Sequence, residues 1–205
     1  MSISHRISIR WLPSPASEPH SVLVLTSPAR RYVDIRLTLS PSGELEGLYW
    51  GFAGQSFYPT PNSGRWEHFI DSRSDEPGSD EGSLEVLENG DVLEKGKMVD
   101  FEEPDKGEKE YEEVWRDEVL EKDERVAIVM ETEGGRVVRV GGWVQGVLKD
   151  KEGFNAERWK DGKRIWGMGK ELASDEIWEK EKELVVGDEV EKRGLVWRVV
   201  ERAVW

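Results

Sequence analysis

The side chains of this chain with chemistry to offer are three histidines, a few acid pairs and a set of serines that follow acids. His5, His20 and His68 lie far apart in the sequence, so a triad or a histidine metal site would need the fold to gather them. Period-two alternation sets His68 on the strand face of Trp66 and Ile70. There an imidazole could ligate haem or orient a ligand, but a hydrogen-bonded core histidine is the expected role. The pairs Glu112/Glu113 and Asp75/Glu76 could do acid–base work only by converging, and adjacent strand residues point to opposite faces. The stretch Asp71 to Gly82 is acidic enough for calcium, yet Arg73 stands where a ligand should. The chain contains no cysteine, which removes disulfides, thiolate metal sites and cysteine nucleophiles together. No Gly-x-Ser-x-Gly elbow, phosphate loop or His-Glu-x-x-His helix occurs, and Gly167-Met-Gly169 lacks the third glycine of a dinucleotide site. The expectation is no catalytic, cofactor or metal residue.

The serines are a different matter. Ser74, Ser79 and Ser83 each have an acid three residues before them, namely Asp71, Glu76 and Asp80. Acid-directed kinases of the casein-kinase-I type favour that pattern, so these three are candidate phosphorylation sites. Gly, Pro, Ser and acid dominate residues 72 to 83, which predicts an exposed, mobile loop.

Net charge is −14, and its distribution is uneven: residues 1 to 120 carry 24 acids against 12 bases, residues 121 to 205 carry 19 against 17. Segment 71 to 118 alone holds 19 acids and 6 bases. Such a field repels nucleic acid and anionic lipid and favours a basic protein surface. The longest early apolar run is only Val22 to Leu25, so neither a signal peptide nor a membrane span is expected, and the compartment expected is the cytoplasm, with the nucleus as a second place. Ten Trp, five Phe and four Tyr are ample core material for a folded chain.

The elements that must position these residues are strands. Ile7, Ile9 and Trp11 alternate with Arg6, Ser8 and Arg10, and Val33, Ile35, Leu37 and Leu39 alternate with Asp34, Arg36 and Thr38, the pattern of half-buried strands. Comparable runs recur through Leu195 to Ala203. Asn89-Gly90, Gly134-Gly135 and Asp161-Gly162 suit tight hairpins between them. The single helical candidate is Ser174 to Val185, with Ser174 as cap and a Glu176–Lys180 pair.

An internal echo suggests duplication. Trp50 is followed sixteen residues later by Trp66, and Trp143 sixteen residues later by Trp159. Gly96 to Val99 and then Trp115 likewise echo Gly187 to Val190 and then Trp197. Two tandem barrels result, residues 1–118 and 122–205, joined by a polar stretch. Small barrels fill with side chains by default, so Trp66→Ala or Trp159→Ala is expected to cost about 3 to 5 kcal/mol. Arg116, Arg158 and Arg198, expensive in an apolar interior, are expected to point outward or to be paired.

The runs Ile7 to Trp11 and Ser27 to Arg36, the stretch Glu94 to Val99, the motif Tyr111-Glu-Glu-Val-Trp-Arg-Asp117 and the run Arg136 to Gly141 together resemble the fungal Hri-one family. The resemblance spans most of the chain. It implies an all-β protein of two lipocalin-like antiparallel barrels, with no established activity and with a casein-kinase-I-type kinase as candidate partner; no catalytic residue carries over. The expected function is a non-enzymatic interaction scaffold. Its rivals are a carrier of a small hydrophobic ligand in a barrel cavity, and an enzyme.

Overall fold

The computed structural model describes residues 1–205, the side chain of Asp123 excepted. The first half is a meander of β1 (Ser2–Trp11), β2 (His20–Thr26), β3 (Arg31–Leu39), β4 (Leu45–Thr60), β5 (Ser63–Asp71), β6 (Gly78–Val86), β7 (Val92–Val99) and β8 (Glu108–Asp117). Each strand pairs with the next, and β8 pairs back with β1, closing an antiparallel barrel. The second half comprises β9 (Val126–Thr132), β10 (Gly135–Val140), β11 (Trp143–Asp150), β12 (Gly153–Lys160), β13 (Lys163–Met168), α1 (Ser174–Glu179), β14 (Glu189–Lys192) and β15 (Leu195–Val204). The all-β class and the first barrel agree with the sequence reading.

The second sheet does not close. Its order is β13-β12-β11-β10-β9-β15-β14, which is the order of the first sheet from β5 through β1 and β8 to β7 with β6 left out. Where β6 would fall, between β13 and β14 in sequence, the chain forms α1. Leu172, Ala173 and Ile177 are buried there against Ile128, Met130, Val137 and Val144. The helix covers the sheet face that a closed barrel would have kept inside, so burial of its apolar side replaces a strand ladder. Helix α1 is shorter than the sequence predicted, and Ser174 is its first residue rather than its cap.

The tryptophan echo is only partly in step with this topology. Trp115 and Trp197 lie on corresponding last strands, opposite Val92 and Val190. Trp50 and Trp66 lie on the fourth and fifth strands of their sheet, whereas Trp143 and Trp159 lie on the third and fourth of theirs. Val92, not Val99, is therefore the counterpart of Val190.

Residues 78–83, the second half of the stretch read from sequence as a mobile loop, belong to strand β6. Gly, Ser and acid give it poor intrinsic strand preference. Its ladders to β5 on one side and β7 on the other supply the order. The turns at Asn89-Gly90 and Asp161-Gly162 are where the sequence placed them, and the third falls one residue early, at Glu133-Gly134, because Gly135 already pairs with Thr132; at Asp161-Gly162 both residues have positive φ, 49° and 73°, as a tight primed turn demands.

The main core lies between the halves, not within either. Ile3, Leu23, Leu25, Val33, Ile35 and Leu37 on the outer face of the barrel pack against Val129, Val138, Val140 and Val147 of the second sheet. Polar groups cross the same seam. Gln145 donates to the carbonyls of Leu23 and Val33 at 2.9 and 3.1 Å. Arg158 donates to the Ile35 carbonyl at 2.6 Å, the Ser21 hydroxyl at 2.9 Å and the Gln145 side chain at 2.8 Å.

Candidate functional site

Because the apolar face of β3 is spent on the seam, its polar face must point into the barrel. Tyr32, Asp34 and Arg36 are buried there, on the opposite side of the strand from Val33, Ile35 and Leu37. On β8 the inward series is Tyr111, Glu113, Trp115 and Asp117; on β7 it is Val92, Glu94 and Met98. These residues, with Phe52, Trp66, Asp80 and Leu84, line a cavity of about 300 Å³. Exposed Arg30, Tyr58 and Asp117 mark its open end, and buried Asp34, Arg36, Glu94 and Glu113 its closed one. Gly96, paired with Tyr111 across the ladder, leaves room for that phenol: a Cβ there would lie 2.6 Å from its oxygen.

Charge at the closed end is arranged unevenly. Arg36 donates twice to one oxygen of Asp34, at 3.1 and 3.0 Å, and approaches Glu113 at 3.5 Å. Arg6 donates to the same Glu113 oxygen at 2.5 Å and holds Glu18 with its other two nitrogens. Burial opposes the charge on Arg36, but Asp34 and Glu113 outweigh it and raise its pKa. Glu94 is treated differently. It accepts the Tyr111 hydroxyl at 2.7 Å and has no ion-pair partner among the described residues. Burial, then repulsion from Glu113, push its carboxyl up to about 8. The phenol of Tyr111 is held protonated by burial and by the acids around it.

His68 is on the interior face with Trp66, as alternation predicted, but Ile70 is not. The β4–β5 register shifts between the Ala53–Ile70 and Gly54–His68 pairs, leaving Phe69 as an extra residue. This bulge turns Ile70 outward to the seam and Asp71 inward beside His68. The imidazole bonds Asp71 at 3.2 Å, lies 3.3 Å from Asp80 and stacks on Phe52 at 4.3 Å. Burial alone would pull its pKa down; hydrogen bonds to Asp71 and Asp80 prevail and raise it to about 9. Nδ1 is thus hydrogen-bonded to Asp71 and Nε2 faces the Asp80 carboxylate as an ion pair, which is a core role and not that of a haem ligand.

The other histidines occupy separate places. His5 pairs with Glu118 at the surface; His20 stacks on Tyr49, and burial together with Arg6, Arg36 and Arg73 lowers its pKa to about 4. Glu112 and Glu113 point to opposite sides, with Glu112 bound to Arg10 outside. Arg116 and Arg198 are exposed and paired with Asp91 and Glu189. Arg158 departs from expectation: it is buried in the seam, bonded to neutral oxygens, and burial lowers its pKa to about 10. Ser74 lies in the turn after β5, while Ser79 and Ser83 are exposed positions on the paired strand β6.

Sequence reasoning missed Asp34, Arg36, Glu94 and Glu113. The available signal was charge alternating within otherwise apolar strands, which reads equally well as a solvated face. Chemically, Arg36 and Glu113 are occupied by their partners, and Glu94 is left as a carboxyl that can take up a proton or a cation. Among the described residues no group of three His, Cys, Asp or Glu could hold a metal ion, and no helix is long and apolar enough to cross a membrane.

No curated protein sequence matches the chain. Its fold is similar to that in the crystal structure of the uncharacterized protein YLR301w from Saccharomyces cerevisiae, with TM-score 0.77 and 21% identity over 98% of each chain. The family model described as Protein HRI1 matches residues 2–201, so the chain belongs to the HRI1 family.

Proposed function

We propose that this chain is a non-enzymatic binding protein whose first barrel holds a small molecule. The observation that carries this reading is the cavity of about 300 Å³, lined by Phe52, Trp66 and Trp115 and containing Glu94 without a cation. That volume is at the lower end for ligand sites, and aromatic walls with a few convergent polar groups are their usual make-up. A purely structural barrel would fill the space with side chains. The carrier expected from sequence as a rival would take a hydrophobic ligand; the charged closed end argues for a partly polar one. The test is Val92→Trp, which fills the cavity from one wall. Native mass spectrometry and tryptophan fluorescence should show ligand binding in the parent and none in the variant. Equal binding by both would overturn the reading.

A second reading, interaction with a casein-kinase-I-type kinase, is supported by the exposure of Ser74, Ser79 and Ser83 on the acid-rich side of the barrel. Ser74 fits a kinase cleft best, because Ser79 and Ser83 are tied into the β6 ladders. Phosphate on Ser74 after incubation with such a kinase, located by mass spectrometry, is the expected result; no phosphate on any of the three would end it.

A further inference from the structure

Resting on the reading of the barrel as a ligand site, we propose that the ligand is an elongated aliphatic amine, a di- or polyamine, with one ammonium against Glu94 and Asp80 and another at Asp117. Five carboxylates line the cavity, Asp34, Asp80, Glu94, Glu113 and Asp117, against three cations, Arg30, Arg36 and the Met1 ammonium. Arg36 is committed to Asp34 and Glu113, while Arg30 stands at the rim over the Tyr58 ring at 4.6 Å. An anion entering the barrel would meet a surplus of negative charge and, beyond the committed Arg36, only the Arg30 guanidinium and the Met1 ammonium near Asp117. A cation finds Glu94, buried with a single neutral partner, and the second oxygen of buried Asp34, which has no hydrogen-bond partner.

Strand geometry supplies the length. Glu94 faces Glu113 across the β7–β8 ladder, and Asp117 lies four residues further along β8 on the same inward face, about 13 Å away at about 3.3 Å per residue. Trp115 stands between the two levels. Leu84, Val92 and Met98 line the wall and offer methylene contacts, while Trp66 and Trp115 offer aromatic faces to an ammonium. A compact cation could satisfy one end only. The acid excess of segment 71 to 118 surrounds this side of the barrel and would concentrate cations at the mouth.

Ionisation links the site to pH. The groups facing Glu94 are Glu113 and Tyr111 on β8, Asp80 on β6 and Arg36 on β3, with His68 joined to Asp80 from β5. Raising pH first ionises Glu94 and then neutralises His68, both of which make the cavity more negative. An aliphatic amine stays charged to about pH 10. Affinity should therefore climb from about pH 6 to about pH 8.5.

The experiment is titration calorimetry of the full chain with spermidine, 1,8-diaminooctane, octylamine and octanoate, on the parent, Glu94→Gln, Asp117→Asn and Val92→Trp, each first checked for a cooperative melt. Expected are one-to-one binding of the two longer polyvalent amines, at least about tenfold weakening by Glu94→Gln, several-fold weakening by Asp117→Asn and none left in Val92→Trp. If octanoate binds and is blocked by Val92→Trp while the amines do not bind, the amine assignment falls and the ligand site stands. If amines bind equally well to all variants, they bind the acidic exterior and the assignment falls. If no probe binds, the amine assignment falls; whether the ligand site falls with it is read from the native mass spectra of parent and Val92→Trp.

Discussion

Glu94 and Glu113 face each other across the β7–β8 ladder, both pointing into the barrel, yet two guanidiniums serve Glu113 and none serves Glu94. Two like charges opposite one another repel. The barrel relieves this by pairing one acid and leaving the other inclined to keep its proton.

That asymmetry makes Glu94 a determinant of pH stability. Its folded pKa is about 8, above an ordinary glutamate, so the folded state retains a proton that the unfolded chain has released. Stability should fall as pH rises from about 4.5 to about 8, with the loss complete above that. Glu94→Gln, which still accepts the Tyr111 hydroxyl, should flatten this slope and exceed the parent at about pH 8.5 by on the order of 3 kcal/mol. Urea unfolding across pH measures it; an unchanged slope would refute the raised pKa.

His68 acts in the same direction by the opposite chemistry. Its imidazolium, raised to about 9 by Asp71 and Asp80, contributes stability fully below about pH 6.5, and that contribution is lost as pH climbs through about 9. Its ring protons should titrate by NMR with a midpoint near 9. A midpoint near the free value of about 6.5 would show that the two carboxylates do not hold it.

Tryptophans should separate by position. Trp197, fully buried beneath α1, should cost about 3 to 5 kcal/mol on truncation to Ala. Trp66, half-buried at the cavity wall, has one side without packing partners, so Trp66→Ala should cost less than about 2 kcal/mol. This revises the sequence expectation for Trp66. Thermal melts of the two variants decide it, and equal losses would mean that Trp66 is packed core.

The halves should depend on each other for folding. Residues 1–118 alone would expose Ile3, Leu23, Leu25, Val33, Ile35 and Leu37 to water, and residues 122–205 alone would expose the facing valines. The full chain should unfold in one transition, and each half expressed separately should be unfolded or aggregated. A soluble, cooperatively melting half would disprove that dependence.

Much of the architecture was legible because its signals are local. Alternation in Val33 to Leu39, the Asp161-Gly162 turn and the Glu176–Lys180 pair act over a few residues, and each element formed where those signals lay. Strand β6 escaped because its order comes from neighbours on both sides, not from its own Gly, Ser and acid. Ile70 escaped because a single extra residue at Phe69 reverses the alternation, and a bulge has no side-chain signature here. The candidate site escaped for a broader reason: Arg36 finds Asp34 two residues away, but its other partner, Glu113, arrives from β8.

By itself the sequence determined that this is an all-β chain, with a small helix in the second half and hairpins at fixed places, since periodicity and turn chemistry are properties of short segments. It also determined that strands such as β3 have an apolar and a charged face. Only the tertiary structure decided which face lies inside. The apolar face of β1 to β4 is drawn outward because the second sheet offers it a larger apolar partner, and closure through β8 then encloses the charged face. Buried charge is tolerable there because Arg6 and Arg36 pair with Glu113 and Asp34, and the buried carboxyl left without a cation, Glu94, is what gives the cavity a chemistry of its own.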